Sequence, residues 1–275
     1  MTGKGPTPER PLVLIGAGKM GSALLSGWLD GGIDPKAVVV VEPSPAGDVA
    51  KLLGDAGIAT HASPPVGLTA GIVVLAIKPQ IMGDALPALA SLVGPETTVL
   101  SIAAGTTLAN LESGLGQAAI VRSIPNTPAQ VGRGVTAAVA NGRVGEEAKA
   151  LVTELLAAVG EVAWVAEEAM IDAVTAVSGS GPAYVFLFAE CLAEAAVAAG
   201  LPRDVAERFA RATVEGAGEL LFRSDLSAEQ LRKNVTSPNG TTAAALAVLM
   251  AEDGLQPLVT RAVAAAKKRS EELSG

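Results

Sequence analysis

Residues 12–15 are a short apolar run, Leu-Val-Leu-Ile, that passes directly into Gly16-Ala17-Gly18-Lys19-Met20-Gly21. A stretch of helical spacing follows over 20–30, and then a β-branched run over 38–41. Glycine triplets occur by chance, and the surrounding order of strand, tight turn, helix and strand is what makes this one informative. Gly16 permits the turn, Gly18 lets the backbone approach a pyrophosphate, and Gly21 lets the helix lie close to the strand. The amides at the helix start, around Lys19 and Met20, then face phosphate oxygens. The bland alternative is a plain glycine-rich turn between strand and helix. Taken in context, the unit predicts a dinucleotide-binding domain of Rossmann type and a reductase that uses a nicotinamide cofactor.

The rest of the chain extends that unit. Apolar, β-branched runs recur at 72–77, 99–102, 120–124, 135–139 and 162–165, with helical patterns such as 81–92 between the early ones. Strand and helix in alternation mean a mostly parallel, doubly wound sheet, and continuously apolar strands mean that both faces are covered. After residue 167 the strand signals stop. Helical patterns cover 168–178, 183–199, 203–222, 228–234, 242–251 and 255–273, broken most clearly at Gly200-Leu201-Pro202 and Ser237-Pro238-Asn239-Gly240. The expected organisation is a flexible tail over 1–10, an α/β Rossmann domain over 11–166 and an all-α domain over 167–275. The tail is polar, carries Pro6 and Pro8 and lacks an apolar run, so it reads as neither a signal peptide nor an anchor.

Several of the later helices are apolar nearly all round. The window 182–199 approaches membrane-span length, yet Glu190 and Glu194 share one face of it at i, i+4 spacing. A helix buried in a protein interface, with its acids at the wet edge, is the preferred reading. A helical domain of this size cannot bury so many apolar faces alone, so a homo-oligomer through the C-terminal helices is expected.

The second strand ends in Glu42-Pro43-Ser44, about twenty residues past the last glycine of the turn, where an acid accepts hydrogen bonds from the adenosine ribose and repels a 2′-phosphate. No arginine lies between 42 and 50, so the chemistry leans toward NADH. With Glu42 one residue out of register, Ser44 would hold a phosphate instead, and both NADPH and NADH stay open. Ligands bind at the carboxyl ends of parallel strands, which makes Ala76, Lys78 and Pro79 after one strand, and Ala103, Ala104 and Gly105 after the next, candidate cofactor contacts.

The formal net charge is −8, which disfavours nucleic acid and anionic membranes as partners. One cysteine, Cys191, and one histidine, His61, rule out a disulfide framework, a Cys/His zinc site and any Ser–His–Asp or Cys–His nucleophile. A reduced, cytoplasmic setting fits, and no metal is expected. The site has to work with hydroxyls, amides, backbone donors and the cofactor, which suits hydride transfer. Two turns rich in hydroxyls and glycine, Ser178-Gly179-Ser180-Gly181-Pro182 and Ser237-Pro238-Asn239-Gly240-Thr241-Thr242, open helices and present unpaired amides as a ready carboxylate site. Ordinary N-capping is the competing explanation for each.

With these segments in view, the chain resembles the pyrroline-5-carboxylate reductases along essentially its whole length. The matching stretches are 15–21, 76–79, 101–105, Arg122-Ser123-Ile124-Pro125-Asn126-Thr127-Pro128, 177–184 and 237–242, the last three being specific to that family in combination. The resemblance implies reduction of 1-pyrroline-5-carboxylate to L-proline, a helical domain that interlaces with a second subunit, dimers, and often a ring of five dimers. It also implies that Thr242 is the catalytic hydroxyl on the ring nitrogen, that Ser237 and the amides of Gly240, Thr241 and Thr242 hold the substrate carboxylate, and that Pro125 and Asn126 lie near the nicotinamide with Lys78 and Ala103 on the cofactor. Two positions depart from the family pattern: Asn239 stands where glycine is usual, and Ile124 where methionine is common. Asparagine tolerates positive φ, so the turn should survive.

Two other readings share features of this chain. β-Hydroxyacid dehydrogenases have a similar plan and match around Gly179-Ser180-Gly181, but carry a lysine base where this chain has Val185, and an alcohol oxidation needs that base. A nucleotide-sensing protein without catalysis would not need the turn at 237–242. A reductase for a related cyclic imino acid is the nearest alternative activity.

Overall fold

The structure, a computed structural model, describes residues 5–274. In chain order the elements are β1 (Leu12–Ile15), α1 (Lys19–Asp30), β2 (Val38–Val41), α2 (Gly47–Ala56), β3 (Thr60–His61), β4 (Ile72–Leu75), α3 (Pro79–Leu89), β5 (Thr98–Ser101), α4 (Leu108–Leu115), β6 (Ala119–Ile124), β7 (Gly134–Ala140), α5 (Glu146–Ala157) and β8 (Gly160–Trp164). There follow α6 (Met170–Val174), a π-helical turn (Thr175–Gly179), α7 (Gly181–Ala198), α8 (Arg203–Arg223), α9 (Ala228–Asn234), α10 (Thr241–Leu249) and α11 (Leu255–Ser274). They group into two compact units, residues 1–179 with 267–275, and residues 180–266.

The first unit is a sheet of order β3-β2-β1-β4-β5-β6-β7-β8. All neighbours are parallel except β6 and β7. The chain leaves β1 toward β2 and β3, then returns to lay β4 on the other side of β1, which creates a topological switch point there. The strands read as unbroken apolar runs because alternate residues serve two cores. Leu12 and Leu14 pack with Leu24, Leu25 and Trp28 of α1 and with Leu155 and Leu156 of α5. Val13 and Ile15 pack on the opposite face with Met82 and Leu86 of α3 and Leu111 of α4. The buried Trp28 indole donates to the Leu155 carbonyl at 2.8 Å and so ties α1 to α5.

Three sequence expectations change here. Residues 168–178, which read as one helix, form the short α6 and a π-turn, and they pack with the first unit because Ile171 is buried against Ile124, Ala137 and Val139. The last turns of α11 join the same unit: Ser270 Oγ donates to Asp172 Oδ1 at 2.6 Å, and the Leu273 carbonyl lies 3.4 Å from where a Cβ on Gly105 would stand. Of the expected flexible tail, residues 1–4 lie outside the described residues. Thr7 and Arg10 exchange two backbone hydrogen bonds, and the Arg10 guanidinium pairs with the Glu96 carboxylate.

The second unit is helical. Helices α7 and α8 pack along one another through small residues, Ala193, Ala206 and Ala210, which are its buried side chains. A bidentate Arg203–Glu194 pair, at 2.6 and 3.0 Å, links the two helices beside their connection. Val185, Phe186, Leu187 and Phe188 of α7, Phe209 and Leu220 of α8, and Val248 of α10 are exposed. By length and composition the stretch Met170–Ala198 could cross a membrane, although a π-turn interrupts it.

Candidate functional site

Strand register gathers the candidate cofactor residues on one sheet edge. Ile15 pairs with Val41 and Leu75, Leu75 with Ser101, and Ser101 with Arg122, so Gly16, Glu42, Ala76 and Ile102 step off the sheet side by side. The first hydrogen bonds beyond the strands continue that alignment, with Gly16 N donating to Val41 O at 2.9 Å and Ala76 N to Ile15 O at 2.8 Å. Pro125 and Asn126 follow β6 at the same edge. This is where ligands of open α/β sheets bind.

The three glycines divide their work. A Cβ on Gly16 would stand 2.8 Å from the Ala76 carbonyl oxygen, and one on Gly21 would stand 2.3 Å from the Gly16 carbonyl oxygen. Gly16 also has φ +89°, which L side chains rarely adopt. Both are therefore set by backbone packing. A Cβ on Gly18 would meet no protein atom within 4 Å, so packing gives no reason for glycine there and close approach of a ligand does. Gly18 is the N-cap of α1 and no side chain caps that helix; its first turn carries no acid, and Lys19 opens it. Orphan amides at a helix start with a cation beside them suit a pyrophosphate. Met20, by contrast, leans onto the core. Beside the turn, Lys19, Ser22, Asp48 and Gln130 border a groove of about 310 Å³ that sequence reasoning did not single out.

Glu42 folds over this turn. One carboxylate oxygen accepts from Ala17 N at 3.0 Å and the other from Ser44 N at 3.1 Å. These bonds hold the carboxylate against the glycine turn, while Ser44 is exposed and helps to hold Glu42. Lys78 and Pro79 are exposed at the start of α3, where Lys78 is the N-cap and Pro79 occupies the first turn. In the next loop the Ala103 amide donates to the buried Ser101 hydroxyl at 3.3 Å, and the Ala103 methyl is buried in the core, so any contact with a ligand there falls to its backbone. Ala104 is exposed, and Gly105 has φ +74°.

Two supports of this edge have no local sequence signature. Ser123 Oγ donates to Ser101 O at 3.0 Å, locking the ends of β5 and β6. Glu168 Oε1 accepts from the buried Arg122 at 2.6 Å and from Leu108 N at 2.8 Å, so it pins the start of α4 next to the 103–105 loop. Each bond joins residues far apart in the chain, and only the positions of Arg122 and Ser123 within a matching motif could have drawn attention to them.

The two hydroxyl-rich turns differ. The one at 178–182 is a correction to the sequence reading: Ser178 and Gly179 end the π-turn, Ser180 is helical, and the Ser178 hydroxyl donates back to Val174 O at 3.1 Å rather than capping α7. The second is a true helix start. Gly240, the N-cap of α10, is extended at φ −83° and ψ 172°, and no side chain caps the helix. Gly240 N donates to Ser237 O at 3.1 Å, and a Cβ on Gly240 would lie 2.5 Å from Ser237 Oγ, so the hydroxyl sits directly over the turn. Asn239 is the non-glycine residue with positive φ, +58°, among the described residues, consistent with the expectation that asparagine keeps this turn. The amides of Thr241 and Thr242 begin the helix, and Thr242 is half-buried.

A family model described as "Pyrroline-5-carboxylate reductase dimerisation" matches residues 168–273, and one described as "NADP oxidoreductase coenzyme F420-dependent" matches residues 11–105. A pyrroline-5-carboxylate reductase of Pseudomonas aeruginosa is 40% identical over 265 residues, covering 96% of each chain. Among solved structures, a pyrroline-5-carboxylate reductase from Coxiella burnetii superposes with a TM-score of 0.89 at 37% identity, covering 97% of this chain and 99% of its own. A Plasmodium falciparum pyrroline carboxylate reductase, solved with NADP bound, gives a TM-score of 0.80 at 30% identity, covering 97% and 98%.

Proposed function

The chain belongs to the pyrroline-5-carboxylate reductase family, and from that premise we propose that it reduces 1-pyrroline-5-carboxylate to L-proline with NADPH or NADH. The observation that carries this reading is that one chain holds both a phosphate-type glycine turn, in the first unit, and an uncapped, hydroxyl-flanked helix start at Ser237–Thr242, in the second. The residues at both places fit their ligands: Gly18 admits close approach of a pyrophosphate, and Gly240 leaves room for Ser237 Oγ above the amides of Gly240, Thr241 and Thr242.

When bound, the nicotinamide supplies a hydride, which adds to the imine carbon while the ring nitrogen ends as an amine. In this assignment Gly16, Gly18, Lys19, Met20 and Gly21 carry the pyrophosphate through backbone amides and the Lys19 charge. Glu42 takes the ribose hydroxyls. Ala76, Lys78, Pro79, Ala103, Ala104, Gly105, Pro125 and the backbone of Asn126 shape the rest of the cofactor site. Ser237 and the amides of Gly240, Thr241 and Thr242 hold the carboxylate, and the Thr242 hydroxyl hydrogen-bonds the ring nitrogen. A cyclic imine can arrive already protonated, so no strong general acid is required, in keeping with a chain that has one histidine and one cysteine.

The family carries a dimerisation region, and we place the partner on the exposed apolar faces of α7, α8 and α10. The proposed unit is a homodimer, with five dimers as the larger assembly the family resemblance implies, acting in the cytoplasm without nucleic acid or membrane as partner. Sedimentation velocity tests this part, where a monodisperse monomer would refute it. The deciding experiment for the activity follows NADH and NADPH oxidation with pyrroline-5-carboxylate beside pyrroline-2-carboxylate and small keto acids. Turnover only with the keto acids would remove the reading, and preference for pyrroline-2-carboxylate would move it to a related cyclic imino acid.

A further inference from the structure

Asn126 follows β6 at the ligand-binding edge and is 8% exposed. Its carboxamide is engaged at both ends with backbone: Oδ1 accepts from Val135 N at 2.9 Å, and Nδ2 donates to Ser178 O at 3.2 Å. The first bond ties the end of β6 to β7. The second reaches the π-turn Thr175–Gly179 across a separation of 52 residues.

The Ser178 carbonyl needs that donor for a covalent reason. In an α-helix it would accept from the amide of residue 182, and residue 182 is proline, which has no N–H. The next amide, Ala183 N, donates to Ser180 O at 3.0 Å. Within the turn, Thr175 Oγ1 donates to Ile171 O at 2.8 Å and Ser178 Oγ to Val174 O at 3.1 Å, so the local hydroxyls serve other carbonyls. π-Turns are uncommon, and they recur at functional sites. The Asn126 amide group supplies what Pro182 withholds.

We propose that Asn126 is a positioning residue whose carboxamide clamps the π-turn at Ser178–Gly179 to the carboxyl end of β6, rather than a group that ligates the cofactor through that carboxamide. This rests on the cofactor site assigned above. There the clamp fixes backbone beside Pro125, at the nicotinamide end of the dinucleotide, where misplacement of about 1 Å lowers turnover by about 100-fold.

The test compares Asn126→Ala and Asn126→Asp with wild type, and the double variant Asn126→Ala/Pro182→Ala with Pro182→Ala alone. It uses kcat and KM for the imine, nucleotide Kd by fluorescence, and amide hydrogen exchange over 175–181. Asn126→Ala should lower kcat by about 10- to 100-fold, leave nucleotide Kd within about twofold and speed exchange in that segment. Asn126→Asp keeps the acceptor for Val135 but opposes the Ser178 carbonyl with an oxygen, so it should be no better than alanine. Replacing Pro182 returns an N–H at the position a helix uses, so Asn126→Ala should do less harm to kcat and to exchange in that background. A nucleotide Kd weakened about tenfold with unchanged exchange over 175–181 would make Asn126 a ligand contact and overturn the proposal. Equal losses in the two backgrounds would overturn it as well. If wild type fails to reduce the imine, the proposed activity falls, while exchange over 175–181 still decides the role of Asn126.

Discussion

Glu42→Gln is the substitution that tests the cofactor site most directly. The side chain is half-buried, and its two oxygens accept from Ala17 N at 3.0 Å and Ser44 N at 3.1 Å. Glutamine keeps one acceptor, loses the charge and turns an NH2 toward the other amide, so one hydrogen bond is lost, at about 1 kcal/mol of stability. The larger effect is on cofactor choice. A carboxylate about 6 Å from a dianionic 2′-phosphate is repelled by about 1.4 kcal/mol at the dielectric constant of water and about 5.5 kcal/mol at the value suited to a protein surface. For a half-buried group the lower part of that range applies, and each 1.4 kcal/mol is a factor of ten. The ratio of kcat/KM for NADPH to that for NADH should therefore rise about tenfold or more in the variant. Initial rates with each nucleotide at saturating imine read it out. Because the effect is Coulombic, wild-type discrimination should also weaken toward 1 M salt, where the Debye length is about 3 Å, while the variant's stays level. A ratio that does not move at low salt would mean that Glu42 braces the glycine turn without facing the ribose.

The glycine turn separates folding from binding. Gly21→Ala puts a methyl 2.3 Å from the Gly16 carbonyl oxygen and should destabilise the first unit by about 1–3 kcal/mol, whereas Gly18→Ala touches nothing within 4 Å and should keep the melting temperature while raising the nucleotide Kd. Equal melting losses in both would refute that division. Thr242→Ala should lower kcat with nucleotide binding intact, and Thr242→Ser should recover much of it; weakened nucleotide binding in Thr242→Ala would remove this hydroxyl from the substrate turn. In the second unit, hydrogen bonding from Arg203 and then its charge hold the Glu194 carboxyl below its usual value. A depressed folded value means that the pair's contribution is present above the unfolded carboxylate value and lost as pH falls through the folded one. Thermal melts of Arg203→Gln should accordingly lose less stability toward acid than wild type, and parallel curves would show that this exposed pair contributes nothing.

Much of this protein is determined locally. Leu12-Val-Leu-Ile can serve two cores only as a strand covered on both faces, and the glycine turn that follows limits what can approach the helix start. One histidine and one cysteine remove most nucleophilic chemistry before any fold is known. The uncapped start of α10 could likewise be read from Ser237 to Thr242, because caps and turns depend on a few adjacent residues. Tertiary structure decided the rest. Strand register brought Glu42 onto Ala17, and packing of Ile171 drew α6 into the first unit, although its sequence is plainly helical. Likewise, Asn126 donates to the Ser178 carbonyl in the π-turn at Thr175–Gly179, a carbonyl that Pro182 leaves without its α-helical donor and that a side chain 52 residues away meets. Residue type and spacing reveal which backbone groups lack a local partner. Only the folded chain determines which distant side chain supplies one.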